Sequence, residues 1–233
     1  APLGSPGPAV ESAAMDPVPT KEGLRGVVRD AVGDLRLLGH PFYRRWEAGE
    51  LGRAELGRYA EQYRHLEAKL PEVLEAVAIG LGNARAEELV RENLADERGD
   101  PVPHLTMFEL FASRVGADPS ADPGPATERL VSLQLHGARR SPAAGIAVLA
   151  AYESQAAEVA RSKAAGLRRH YGVDALGTWF WDVHGAVEDR HADWSLEALA
   201  VVGAPVAEVA EAARAAARAW WEFLDEREAA RAA

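Results

Sequence analysis

The 233-residue sequence carries 26 Lys and Arg against 36 Asp and Glu, a net charge of -10. That acidic balance speaks against a nucleic-acid or anionic-membrane surface, both of which need basic patches. The chain has no cysteine, which excludes disulfides, thiolate metal ligands and cysteine nucleophiles and fits a reducing cytoplasm. Hydrophobic residues make up 48%, enough for a sizeable core, yet no run of about 18 apolar residues exists to span a bilayer. Residues 1–14, rich in Pro, Gly, Ser and Ala ahead of Met15, lack the charged start and apolar centre of a signal peptide. They are expected to be an added tail, disordered by composition, with residues 15–233 forming one helical domain.

Taken in order, Leu24, Val27, Val28, Ala31, Val32, Leu35 and Leu38 recur at helical spacing and predict a first amphipathic helix, stopped by Gly39-His40-Pro41. A short helix begins at Phe42 and ends near Gly49. Leu56, Tyr59, Tyr63, Leu66, Leu70, Val73, Leu74, Val77 and Leu81 predict a long helix that Pro71 should kink. Helices are expected over 84–97 and 104–115, separated by Gly99-Asp100-Pro101-Val102-Pro103, and over 126–139 after a loop. Ser141-Pro142 pairs an N-cap with a first-turn proline and opens a helix to about Arg169. Asp174 caps a helix over 175–203, and a last one runs from Pro205 to the end. No alternating β-branched run appears, so the expected fold is an all-α bundle of about seven to eight helices.

On the 175–203 helix, His184, Glu188 and His191 stand at i, i+4 and i+7, on one stripe. Imidazole, carboxylate and imidazole on one face suit iron, manganese or zinc. The plainer alternative is a wet face, given Asp189 and Arg190 beside them. Two other places can complete such a site. Glu97 closes one helix and His104 opens the next, and the Gly/Pro break between them lets the two side chains converge. Glu153 lies in a nearly uncharged helical segment, where an isolated carboxylate needs a cation or an Arg partner. Three carboxylates and three imidazoles suit two hard-to-borderline cations, with positions left open for O2 or water. Glu67, on the long helix, is either a seventh ligand or merely solvated.

These motifs resemble those of the haem-oxygenase-like dimetal oxidases, which have a TenA/PqqC-like helical fold. The matching stretches are Phe42-Tyr43-Arg44-Arg45-Trp46, Asn93-Leu94-Ala95-Asp96-Glu97 up to His104, Tyr152-Glu153-Ser154-Gln155, Ala160-Arg161-Ser162-Lys163, and His184 through Glu188 to His191-Ala192. Together they span nearly all of 21–225. The resemblance implies the same six ligands, Glu97, His104, Glu153, His184, Glu188 and His191, with Glu188 standing where the chlamydial branch of the family has aspartate. Within the family it resembles the chlamydial branch that makes p-aminobenzoate from its own chain. It therefore implies Tyr43 as the ring source, Lys163 as the amino donor, two metal ions (iron, or iron and manganese), O2 and an external reductant. Read by themselves, Tyr43 is equally a core aromatic and Lys163 a surface residue in a run with Arg161 and Arg168. A second reading keeps the metal site for a diffusible substrate, as in oxidative cleavage of fatty or amino acids or N-oxygenation. A third is a metal-free protein acting through its surface. Two activities of similar folds are set aside: the thiaminase type needs a cysteine, and haem oxygenase needs an axial histidine where only His40, followed by Pro41, is near. A homodimer is expected by resemblance, with Trp220, Trp221 and Phe223 in an apolar contact.

Overall fold

The computed structural model describes residues 19–99 and 102–232, and the expected tail lies outside them. Among the described residues every regular element is helical: α1 Lys21–Val32, α2 Pro41–Ala48, α3 Arg53–Gly80, α4 Ala84–Arg98, α5 His104–Val115, α6 Pro125–Arg140, α7 Pro142–Tyr171, α8 Ala175–Val201 and α9 Val206–Ala229. The eight-residue α2 counts as a helix of its own, which brings the described total to nine.

Local chemistry sets the boundaries. Thr20, Asn83, Ser141 and Asp174 each accept a hydrogen bond from a first-turn backbone N–H, closing the N-termini of α1, α4, α7 and α8. His40 caps α2: its Nδ1 accepts from the Phe42 N–H at 3.1 Å, which leaves Nε2–H to donate to Asp225 Oδ1 at 3.1 Å. Both of its nitrogens are committed to the scaffold. The first helix is shorter than its apolar spacing predicts. Gly33 turns to φ +50, and Leu35 and Leu38 fall in two 3-10 turns, Gly33–Leu35 and Leu37–Gly39. α3 continues as one helix through Pro71, whose missing N–H leaves the carbonyl of Glu67 without its helical partner.

Two hydrophobic cores fill the bundle. An aliphatic one joins α1 and α4 to the second half of α3, the first half of α7 and the ends of α8 and α9, with Val73, Val77, Leu89, Ile146, Leu199 and Val209. An aromatic one joins α2 and α5 to the opposite halves of the long helices, with Trp46, Tyr59, Phe108, Phe111, Phe180 and Trp181. The seam between them crosses α3, α7 and α8 near their middles, and there the buried polar residues collect. Trp220 and Phe223 belong to the aromatic core, and Trp221 donates its Nε1–H to the Leu35 carbonyl at 2.5 Å. The expectation that these three form an outward apolar contact is therefore corrected: α9 turns them inward or bonds them to the scaffold.

α6 and α7 pack closely where Gly145 meets Ala138. A Cβ on Gly145 would lie 2.7 Å from Ala138 Cα and 2.9 Å from Val77 Cγ2. Alanine is intrinsically the better helix former by about 1 kcal/mol, yet Gly145→Ala is expected to destabilise the protein by roughly 1–3 kcal/mol through overpacking. Thermal melting reads this; an unchanged or raised midpoint contradicts the packing described.

Candidate metal centre

The stripe on α8 faces inward. His184, Glu188 and His191 are buried while Asp189 and Arg190 are exposed, which disposes of the wet-face alternative. Glu97 ends α4 and His104 begins α5; Gly99 at φ +58 turns the chain between them, and Glu97 Oε2 meets His104 Nδ1 at 3.1 Å. Glu97, His104 and His184 each offer a ligand atom within 4.8 Å of the others. Glu188 stands between the two histidines of its own helix, with Oε1 3.7 Å from His184 Nε2 and Oε2 3.7 Å from His191 Nδ1. Glu97 Oε1 lies 4.0 Å from that same His191 Nδ1. A cavity of about 40 Å³ is lined by Glu67, Glu97, Glu153, His184, Glu188 and His191, with Tyr63, Tyr152, Gln134 and Trp220 among its other walls. His104 stands behind this lining, its ring 4.6 Å from that of His184.

Hydrogen bonds fix which nitrogens are free. His184 Nδ1–H donates to the Phe180 carbonyl at 2.8 Å, leaving Nε2 with its lone pair toward Glu188. His191 Nε2–H donates to Asp96 Oδ2 at 3.1 Å, so here Nδ1 faces the cavity. Glu153 is not paired with an arginine. Its Oε1 accepts from Asn93 Nδ2 at 2.8 Å and its Oε2 from Ser195 Oγ at 2.6 Å. Asn93 and Ser195 each lie four residues from a ligand on the same helix, a spacing that puts them near the site without showing that Glu153 is their partner. Glu67 is buried in the seam rather than solvated.

The donor set fits cations. Four carboxylates share one buried seam, and Glu67 Oε2 and Glu188 Oε2 have no hydrogen-bond partner there. Unpaired buried carboxylates cost several kcal/mol, which dications would offset. Oxygen and imidazole donors without thiolate suit iron or manganese. Burial, then the charges of Glu97 and Glu188, pushes the Glu67 carboxyl well up. Burial and the Glu188 charge raise Glu153 to about 7, with partial relief from His191, Ser195 and Asn93. Burial works to lower His191, but Glu188 beside it and the charges of Glu97 and Glu153 outweigh this and raise it to about 9.

These shifts give metal-free protein a pH dependence. Glu153 starts to ionise in the unfolded chain near 4.5 and in the fold only near 7, so its contribution falls by roughly 3 kcal/mol as pH rises across that interval. His191 stabilises the fold fully below 6.5, and that stabilisation is lost as pH rises through about 9. Both act in one direction. Lys163 and His184, both lowered by burial, act the other way, so the two contributions are read by difference. Between about pH 5 and 9 metal-free wild type is expected to lose more stability, or gain less, than Glu153→Gln. Identical pH profiles for the two proteins contradict these protonation states.

A second buried cluster adjoins the first. Lys163 is 1% exposed, whereas Arg161 and Arg168 face solvent. Its Nζ donates to Tyr59 OH at 2.6 Å, and Tyr59 OH is 2.8 Å from Tyr43 OH. The Nζ also lies 4.1 Å from the ring centre of Trp181, 4.6 Å from Tyr43 and 4.9 Å from Tyr63. Burial drives this amine well below its ordinary range, only partly opposed by the charge of Glu67, and pushes the Tyr43 phenol up. Tyr59 carried no functional assignment in the sequence, although Tyr59, Tyr63 and Glu67 form one i, i+4, i+8 stripe on α3.

Residues 57–225 match the family described as iron-containing redox enzymes. The chain is 35% identical over 216 residues to a protein of Nitrosomonas europaea named 4-aminobenzoate synthase, covering 85% of this chain and 88% of that one. A Chlamydia trachomatis protein of the same name is 30% identical, covering 69% of this chain and 72% of that one. Among solved structures, a TenA homologue of Pseudomonas syringae superposes with a TM-score of 0.73 at 14% identity, over 93% of this chain and 98% of that one. A CADD-like protein of Nostoc punctiforme gives 0.70 at 17% identity, over 88% and 94%. At such identities these two establish the fold alone.

Proposed function

The chain belongs to the iron-containing redox enzymes of haem-oxygenase-like fold, and from that premise we propose that it makes p-aminobenzoate oxidatively, Tyr43 supplying the ring and Lys163 the nitrogen. One observation carries this reading: a phenol and a buried, unpaired amine meet on a single bridging hydroxyl, that of Tyr59, beside a seam of carboxylates and imidazoles. Glu97, His104, Glu153, His184, Glu188 and His191 would hold two ions, iron or iron with manganese, with Glu67 as a further carboxylate. The ions would supply O2 binding and oxidising equivalents, with electrons from an external reductant.

The chain's own residues do the rest. Tyr43 does not line the cavity, but a row of phenols spans the gap. Tyr152 OH and Tyr63 OH are 2.6 Å apart at the cavity wall, the Tyr63 ring lies 5.5 Å from that of Tyr59, and Tyr59 OH bonds Tyr43 OH. Burial keeps these phenols protonated, so each can lose an electron while its proton shifts to a neighbouring oxygen. Lys163, its amine driven toward the neutral form in its aromatic box, keeps a lone pair for bonding to the oxidised ring at the carbon bearing the phenol oxygen, which leaves as water. Freeing p-aminobenzoate then needs the lysine Nζ–Cε and tyrosine Cα–Cβ bonds cleaved, with O2 as the oxidant. The walls of Trp46, Trp181 and Tyr63 exclude water that would compete.

A diffusible fatty or amino acid fits less well, because about 40 Å³ is far below the several hundred Å³ of an ordinary ligand pocket. Labelling tests the choice. Protein grown on ring-labelled tyrosine and reacted in unlabelled medium is expected to release labelled p-aminobenzoate, at most one per chain. Unlabelled product, or many turnovers on an added compound, would overturn the reading.

A further inference from the structure

We propose that Asp96 and Arg190 act as an outer pair that sets the donor strength of His191, and so the affinity of the metal position His191 serves. This rests on the metal-centre reading above. A single oxygen, Asp96 Oδ2, accepts both from His191 Nε2 at 3.1 Å and from Arg190 Nη2 at 2.6 Å. Trp194 stacks on the His191 ring, centroids 5.5 Å apart and planes 20° from parallel, and the Arg190 guanidinium lies 5.0 Å over the same indole. The imidazole is therefore held with Nε2–H outward and Nδ1 toward Glu188 and Glu97.

The other α8 histidine is treated differently. His184 donates its outer N–H to a neutral backbone carbonyl, that of Phe180. An imidazole whose outer N–H is held by a carboxylate is the more electron-rich ligand. The two metal positions thus have histidines of unequal strength, and Arg190 tempers the stronger one by sharing its carboxylate oxygen. Asp96 and Arg190 are positioning residues that act through His191. Opposite signs follow: removing the charge of Asp96 weakens the His191 position, whereas removing Arg190 strengthens it.

The test is anaerobic titration of metal-free protein with manganese(II) against a competing chelator, for wild type, Asp96→Asn, Arg190→Met and the double variant. Asp96→Asn is expected to weaken one of the two equivalents by about 10–100-fold and leave the other nearly unchanged. Arg190→Met, at an exposed side chain that threatens no core, is expected to tighten that same equivalent several-fold. In the double variant this tightening should vanish, since Arg190 acts through Asp96. If both single variants weaken binding alike, the pair merely ties α4 to α8 and the proposal fails. It also fails if neither moves either equivalent, or if Arg190→Met still tightens binding in the Asp96→Asn background. Wild type that binds no manganese would instead sink the metal-centre reading itself.

Discussion

Protein in which Tyr43 is replaced by phenylalanine is expected to release no p-aminobenzoate when given iron and manganese, reductant and O2. Phenylalanine preserves the aromatic packing of Tyr43 against Phe42, Trp46 and Tyr59, so α2 should fold as before. It removes the hydroxyl that meets Tyr59 and the only route by which the ring loses an electron together with a proton. Metal content is expected to be unchanged, because no atom of Tyr43 lines the cavity. Lys163→Arg should abolish product as well, since guanidinium stays charged and keeps no free lone pair. Tyr59→Phe is expected to lower the yield without abolishing metal binding, since it breaks the bridge between phenol and amine. Wild-type yields from Tyr43→Phe would end the self-supplied-ring account.

The second large effect is on stability. With Glu67, Glu97, Glu153 and Glu188 buried along one seam, metal-free protein carries like charges or displaced protons that cations would relieve. Free metal at about a thousand times its dissociation constant adds about 4 kcal/mol per site. In a domain of this size that corresponds to an unfolding midpoint higher by about 10 °C or more. Chelation should reverse the rise. Because metal binding displaces protons, the stabilisation by metal should also grow as pH rises between about 6 and 9. Differential scanning calorimetry with and without chelator measures both. Equal midpoints in the two forms would contradict a cation-filled seam.

The helices and the six candidate ligands were legible because each leaves a local signal. Leu56, Tyr59 and Tyr63 repeat at helical spacing, His184, Glu188 and His191 share a stripe, and Glu153 is a lone charge in an apolar run. What was not legible depends on contacts across helices. Asn93 and Ser195 look like ordinary polar residues until α4 and α8 bring them to opposite oxygens of Glu153. Tyr59 reads as a core aromatic until α2 and α7 place a phenol and an amine on its hydroxyl. Trp220 and Phe223 suggested an outward contact, since periodicity alone does not say which face of α9 meets the bundle. The length of α1 was overestimated because Leu35 and Leu38 keep an apolar spacing through 3-10 turns, where apolar residues serve equally well.

The central claim is that Glu97, His104, Glu153, His184, Glu188 and His191 gather around two cations within the bundle. Anomalous scattering at the iron and manganese edges, from crystals of protein loaded with both metals, tests it most directly. Two peaks in the seam between the aliphatic and aromatic cores are predicted, one of them beside His191 Nδ1. A seam without anomalous density, or metal bound only at surface carboxylates, would contradict it.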